Sequence, residues 1–289
     1  MEYRLLGKTG FRTSVVGLGG LLVAGMSQEE ADRTVAWAID RGVNYLDFAP
    51  TYADAEERLG PALKGRRKGI FLACKTTERG REGAWRELHR SLDRLGTDHF
   101  DLYQLHGVRN MKELDLALGP GGAIEVLVEA KQQGLTRFIG ITTHWTDVAL
   151  SALSRFDFDT ILFPVNFACW YAAGVGADVL ERAAEKGIGR MALKSMALGP
   201  LPEGASRTWS KCWYQPTDEP GLAELAVRFT LSQDVSLLIP PGHVELFEMA
   251  LDAADRFRPL DPDEAEYLRR LSVEVTSEVG PLFTRQPQG

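Results

Sequence analysis

Three short runs decide the fold: Gly42-Val-Asn-Tyr-Leu-Asp47-Phe-Ala-Pro-Thr-Tyr52, then Ile70-Phe-Leu-Ala-Cys-Lys75, then Phe100-Asp-Leu-Tyr-Gln-Leu-His106. Each is a buried-strand pattern that breaks into polar residues at its C-terminal end. Between the last two, Glu82–Leu95 carries helical spacing and stops at Gly96. Outward from this core the same alternation repeats. Further apolar runs lie at Val15–Leu18, Thr136–Ile141, Thr160–Val165, Gly189–Leu193 and Ser236–Ile239. Helical patterns lie at Ala31–Arg41, Ala123–Gln133, Ala177–Lys186, Glu219–Ser232, Val244–Phe257 and Asp261–Val273. Ser27-Gln28-Glu29-Glu30 reads as a capping box for the first of these, and Gly42, Gly134 and Gly187 read as helix stops.

A strand reaches a parallel neighbour only through a crossover, so this alternation predicts an α/β fold with a parallel sheet covered by helices. Eight βα units close naturally into a (β/α)8 TIM barrel. The surplus is an N-terminal β-hairpin (Tyr3–Leu5, turn at Gly7-Lys8-Thr9-Gly10, Arg12–Val16), a long loop and an extra C-terminal helix. No linker or repeat divides the chain, so residues 1–289 read as one domain, with a frayed tail at Arg285–Gly289. The competing open, doubly wound sheet wants GxGxxG after its first strand. Gly17-Leu-Gly-Gly20 lacks the third spacing, and Met26 stands where a P-loop needs lysine.

Composition excludes several functions. The 289 residues are 44% hydrophobic and 25% charged, ample for a packed core. A net charge of −7 without a Lys/Arg run suits neither duplex nucleic acid nor an anionic membrane. No run is long enough to cross a bilayer, which points to the cytoplasm. Three sparse cysteines (Cys74, Cys169 and Cys212) suit reduced thiols, and no Cys, His or Asp spacing suggests a metal site. A barrel of this size buries its core without help, so a monomer is expected.

Barrel enzymes carry their chemistry at the C-terminal strand ends. There the sequence puts Asp47, with Tyr52 five residues on, then Lys75, then His106. Taken singly, each has an ordinary reading as a turn aspartate, a solvated edge lysine or a core histidine. Their equivalent placement in three successive units is what argues for function. Tyrosine is a weak acid with a pKa of about 10. A nearby ammonium lowers that value, and an aspartate keeps the lysine charged. Histidine can hydrogen-bond a substrate oxygen. The set suits general-acid protonation of a developing alkoxide, as in carbonyl reduction by hydride from a nicotinamide.

At these residues the sequence resembles the aldo-keto reductases. The stretches are Gly42–Tyr52, Ala73-Cys-Lys75-Thr, Asp101-Leu-Tyr-Gln-Leu-His106, Gly140-Ile-Thr-Thr-His and the opening Arg4–Gly19. The resemblance spans residues 3 to about 255. It implies a TIM barrel whose N-terminal hairpin crosses the bottom, and a catalytic tetrad of Asp47, Tyr52, Lys75 and His106. Tyr52 would be the proton donor, tuned by Lys75 and Asp47, with His106 positioning the carbonyl of a small-molecule substrate.

The resemblance also implies cofactor contacts from Gly19, Gly20, Leu21, Asp47, Thr142, Thr143, Leu162, Lys194, Ser195, Met196, Leu198, Gly199, Ile239, Gly242 and His243. Two positions depart from the family pattern. Leu162 stands where a glutamine usually holds the carboxamide, with Asn166 nearby. Lys194 replaces the aromatic that often stacks on the nicotinamide, as in a subset with a Met-Lys-Pro-Met-Gly segment. Backbone N–H groups of Ser195–Gly199 are expected to meet the pyrophosphate. The loop after the eighth strand has no Lys or Arg, only His243 beside Glu245 and Glu248. The family favours NADP(H) and the local charges favour NAD(H); the reading leans to NADP(H).

Two alternatives stand beside reduction. One is a reductase-like barrel that senses cofactor redox state with little turnover. The other is a Schiff-base aldolase using Lys75 or Lys194. The segment Pro200–Asp218 shows no helical or strand period, and loops that long are usually functional or disordered. With Trp209, Trp213, Tyr214, His144-Trp145 and Trp170-Tyr171 it suggests an aromatic pocket for an apolar or aryl carbonyl.

Overall fold

The structure is a computed structural model that describes residues 1–277 and 279–286. The chain opens with an antiparallel hairpin, β1 (Tyr3–Leu5) and β2 (Arg12–Ser14), around a short 3-10 turn at Gly7–Thr9. The alternating body follows as β3 (Leu18–Gly19), α1 (Gln28–Asp40), β4 (Tyr45–Asp47), α2 (Ala55–Ala62), β5 (Phe71–Thr76), α3 (Arg81–Leu95), β6 (Phe100–Leu105), α4 (Met111–Leu118), α5 (Ala123–Gln132) and β7 (Thr136–Thr142). It continues through α6 (Thr146–Arg155), β8 (Thr160–Pro164), α7 (Phe167–Ala173), α8 (Ala177–Glu185), β9 (Gly189–Leu193), β10 (Ala197–Pro200) and β11 (Tyr214–Pro216). The last elements are α9 (Pro220–Ser232), β12 (Leu237–Ile239), α10 (Val244–Asp255) and α11 (Pro262–Thr276).

Eight strands form one parallel sheet in the order β12-β9-β8-β7-β6-β5-β4-β3. Its ends meet: Gly17 donates to Leu238 O at 2.9 Å, and Leu238 donates to Val15 O at 2.9 Å. The barrel is therefore the expected one. Its interior is filled from alternate positions of neighbouring strands, with Tyr45, Phe71, Leu102, Leu162, Met191 and Leu237 in one buried cluster. The opposite faces of the strands pack on the helices, whose apolar stripes (Val35 and Ala38 of α1, Leu88 and Leu92 of α3) are buried in the outer core. The capping box forms as read: Ser27 Oγ accepts from Glu30 N–H, and Glu30 accepts from Ser27 N–H.

The structure differs from the sequence reading in three places. Four helices, α2, α4, α6 and α7, occupy stretches read as connections. They have seven to ten residues; α2 is interrupted by Gly60 and Pro61, and α7 carries no polar face to set against its apolar one. The segment read as a loop from Pro200 to Asp218 is partly paired, because β10 and β11 form a bulged antiparallel ribbon. Its strands have four and three residues, too short to alternate visibly. The tail read as frayed is tied down as far as it is described. Arg285 bonds Asp178 at 2.6 Å, and Gln286 bonds Asp147 at 2.7 Å. The remaining tail residues, 287–289, lie outside the described residues. Among the described residues no helix is long and apolar enough to cross a membrane.

The hairpin closes the N-terminal end of the barrel. Leu6 enters the interior cluster, Lys8 N–H donates to Gly187 O at 2.7 Å, and Ser236 Oγ donates to Leu5 O at 2.8 Å. Gly7 is in the left-handed region at φ +50°, and a Cβ there would lie 2.3 Å from Gly189 N. Backbone cannot yield as a flexible side chain can. Gly7→Ala is expected to lower stability by about 2 kcal/mol or more through strain and overpacking. Urea unfolding measures this, and a loss below about 0.5 kcal/mol, the scatter of an ordinary surface substitution, would show that the plug is not tightly fitted.

Candidate active site

Register places the tetrad. Asp47 ends β4 and pairs with Ala73 of β5, Lys75 pairs with Gln104 of β6, and His106 directly follows β6. All therefore emerge at the C-terminal rim. Tyr52 stands in the turn between β4 and α2, with its N–H on Ala49 O at 3.0 Å. Lys75 is fully buried. Its Nζ lies 2.5 Å from Asp47 Oδ2, 3.0 Å from Phe48 O and 3.4 Å from the Tyr52 hydroxyl. The ammonium has three donors and here meets three acceptors. The Tyr52 and His106 rings meet edge to face at 5.7 Å.

Electrostatics follow from burial and from this contact set. Burial pulls the Lys75 pKa down, but Asp47 and Tyr52 outweigh it, and the net direction is upward. For Tyr52 burial pushes the phenol up. Lys75 lowers it, as expected, but by less, so the phenol is held as a proton-bearing acid. Burial, reinforced by Lys75, holds His106 well below the usual histidine value. At neutral pH the set is a neutral phenol, a charged lysine and a neutral imidazole. That arrangement can offer a proton and a hydrogen bond to one oxygen.

These side chains line a cavity of about 210 Å³ at the rim. Its wall also includes Gly19, Gly20, Leu21, Thr142, Leu162, Lys194, Ile239 and Gly242, all singled out in the sequence. Thr143, Ser195, Met196, Leu198, Gly199 and His243 are not in that wall. Thr143 spends its hydroxyl on Val108 O at 2.7 Å, and Met196 is packed into the outer core. His243 Nε2 accepts from Lys211 N–H at 3.0 Å, and its ring lies 5.1 Å from that of Trp209.

The aromatic residues divide. His144, Trp213 and Tyr214 reach the cavity. Trp170 and Tyr171 pack instead on Phe229 of α9, Trp145 on Phe283, and Trp209 on His243. Leu193, Pro240 and Pro241 of the wall were not foreseen as site residues, nor were Gln104, Lys211 and Cys212. Gln104 donates to Asp47 Oδ1 at 3.1 Å. Stepping back by two from His106 along β6 gives Gln104, so alternation was the available signal. Lys211 and Cys212 come from the long segment before β11 and left no local signal.

The wall fits a nicotinamide dinucleotide in part. Gly19, Gly20 and Gly242 line it without side chains, and a Cβ on Gly242 would lie 2.6 Å from Leu21 Cβ, so this glycine lets the two loops pack together. Ser195 Oγ and Asn166 Nδ2 are buried polar atoms without partners among the described residues. Leu162 offers no amide contact. Among the described residues no group of three His, Cys, Asp or Glu side chains could hold a metal ion.

The chain is similar to known proteins over most of its length. A sequence model described as the Aldo/keto reductase family matches residues 15–272. L-galactose dehydrogenase of Arabidopsis thaliana is 29% identical over 226 residues, which is 72% of this chain and 70% of that protein. An aldo-keto reductase from Bacillus halodurans, solved in its holo form, is 27% identical with a TM-score of 0.74, covering 94% of this chain and 96% of the other. An aldo-keto reductase from Klebsiella pneumoniae in complex with NADPH shares the fold at 24% identity and a TM-score of 0.73, over 100% of this chain and 96% of the other.

The buried pair makes a stability prediction. Removing one partner strands a charge, which typically costs about 3–5 kcal/mol, whereas replacing both with apolar residues is often near neutral. Asp47→Ala should therefore unfold at much lower urea than wild type. The double change Asp47→Leu with Lys75→Met should recover most of that loss. If the single variant lost less than about 1 kcal/mol, below that range, the pair would not be coupled as described.

Proposed function

The chain belongs to the aldo/keto reductase family, and from that premise we propose that it reduces the carbonyl of a small molecule with NAD(P)H, Tyr52 acting as general acid. The observation that carries this reading is the Lys75 contact set, in which one buried ammonium touches both Asp47 and the Tyr52 hydroxyl. When bound, the nicotinamide supplies the hydride. The chain's own residues do the rest. His106, neutral, hydrogen-bonds the substrate oxygen. Tyr52 donates its proton as negative charge grows on that oxygen, and Lys75 stabilises the resulting phenolate. Asp47 holds Lys75 charged and pointed at Tyr52. Gln104 holds Asp47.

Gly19, Gly20, Leu21, Thr142, Ile239 and Gly242 are the proposed wall against the cofactor. NADP(H) is favoured modestly over NAD(H). His243 has the added company of Lys211, a cation outside the loop after β12, whose charge reaches the His243 ring. The L-galactose dehydrogenase name of one relative leaves the direction of reaction open to oxidation, since Tyr52 as phenolate can equally take a proton back. The Schiff-base alternative loses Lys75, whose charged form is held by Asp47.

Tyr52→Phe and Lys75→Met should each lower kcat for carbonyl reduction by roughly 10²–10⁴-fold while nicotinamide binding persists. A variant keeping more than about a tenth of the wild-type rate, far above that range, would remove Tyr52 or Lys75 from the mechanism. For the cofactor, fluorescence titration with NADPH and NADH should show tighter NADPH binding. Lys211→Met and His243→Ala should weaken NADPH more than NADH. Equal weakening of both would mean that neither side chain reads the 2′-phosphate.

A further inference from the structure

Four charged side chains line the cavity: Asp47, Lys75, Lys194 and Lys211. Asp47 neutralises Lys75. Lys211 Nζ donates to Leu22 O at 3.1 Å and feels the acids Asp54 and Glu245. Lys194 has neither arrangement. Among the described residues no carboxylate lies within ion-pair distance of it, and its Nζ donates no hydrogen bond. What holds it is a pair of aromatic faces, Tyr214 at 4.3 Å and Trp213 at 4.9 Å from the ring centres. Cation–π contact supports an ammonium on one side but leaves its N–H donors unspent.

The backbone is set for this. Lys194 follows β9 at φ +63°, one of two non-glycine residues in the left-handed region among those described. Such strain persists only where the surroundings impose it, and it clusters at functional sites. Ala197 N–H on Lys194 O at 2.9 Å closes the turn. The charge also has a definite position. Lys194 lowers the pKa of His144, and His144 in turn lowers that of His106. Lys194 directly follows β9, which pairs with β12 on one side and β8 on the other, so the ammonium enters the cavity next to the segment that carries Ile239 and Gly242.

We infer that Lys194 is an anion-recognition residue of the substrate pocket, and that the substrates are carbonyl compounds bearing a carboxylate. The inference rests on the reductase reading above. A carboxylate there would receive a charge-assisted hydrogen bond from a partly buried ammonium that makes no ion pair within the protein. The aromatic faces of Trp213 and Tyr214 would flank the body of the molecule. A phosphate oxygen of the cofactor has the same chemistry, so the test must separate the two sources.

The experiment compares 4-carboxybenzaldehyde with its neutral isostere 4-nitrobenzaldehyde, using wild type, Lys194→Met and Lys194→Arg. Wild type should favour the carboxylate in kcat/KM. Lys194→Met should lower the ratio of carboxylated to neutral kcat/KM by roughly 10- to 100-fold, the scale of a hydrogen bond to a charged group. Lys194→Arg should restore much of it. An unchanged ratio would overturn the inference. So would an unchanged ratio accompanied by weakened NADPH binding, which would assign Lys194 to the cofactor phosphates. If wild type reduced neither aldehyde, the reductase reading would fail on its own. Calorimetry with benzoate would then decide separately: loss of binding in Lys194→Met upholds the anion site, and equal binding removes it.

Discussion

Everything at the rim is arranged around one buried ammonium. Lys75 is fully inside the barrel mouth, where a lone charge is costly. Its contacts with Asp47, Phe48 O and Tyr52 offset that cost and at the same time fix the geometry of the site. The pair is poor evidence for stability as such, since apolar residues of similar volume often serve as well. Its value lies in direction. The lysine points at a phenol that burial alone would hold far from ionisation, and so makes that phenol's proton transferable.

That arrangement needs strands whose ends coincide, and parallel register supplies this. Asp47, Lys75 and His106 fall on neighbouring strands, each two residues further along the register than the last and so on the same face, because β4, β5 and β6 are paired without a slip. A slip of one residue in β5 would turn Lys75 outward into the helical layer. The hairpin at the opposite end seals the interior, so residues such as Phe71 and Met191 fill the barrel below the site. That apolar fill closes the barrel beneath the cavity.

Legibility in the sequence divides along the same line. Strands such as Phe100–Leu105 could be read because a buried parallel strand is an apolar run between breakers. Asp47, Lys75 and His106 could be placed at the rim because each ends or directly follows such a run, and Tyr52 because it lies in the turn five residues beyond Asp47. Gln104 was hidden inside a strand that seemed complete without it. Helix α2 was hidden by Gly60 and Pro61, which read as breakers, and α7 by a seven-residue run without a polar face. The aromatic residues failed for a different reason. Trp170 and Trp213 look alike in one dimension. Only the tertiary arrangement sends the first to Phe229 and the second to Lys194.

Lys75 and Lys194 show how one cavity can hold two lysines for two kinds of work. Both are desolvated, and desolvation alone lowers an ammonium's pKa. Lys75 is driven back up by Asp47, while Lys194, with no carboxylate and only the Cys212 thiol to raise it, settles at about 8. The first charge is spent within the protein, on a neighbour that never leaves. The second is still mostly protonated at neutral pH and is held only by π faces, which neither accept its protons nor cancel its charge. A protein that merely needed to fill this corner would do better with leucine. Keeping an uncompensated ammonium here makes physical sense when its counter-ion arrives with a ligand.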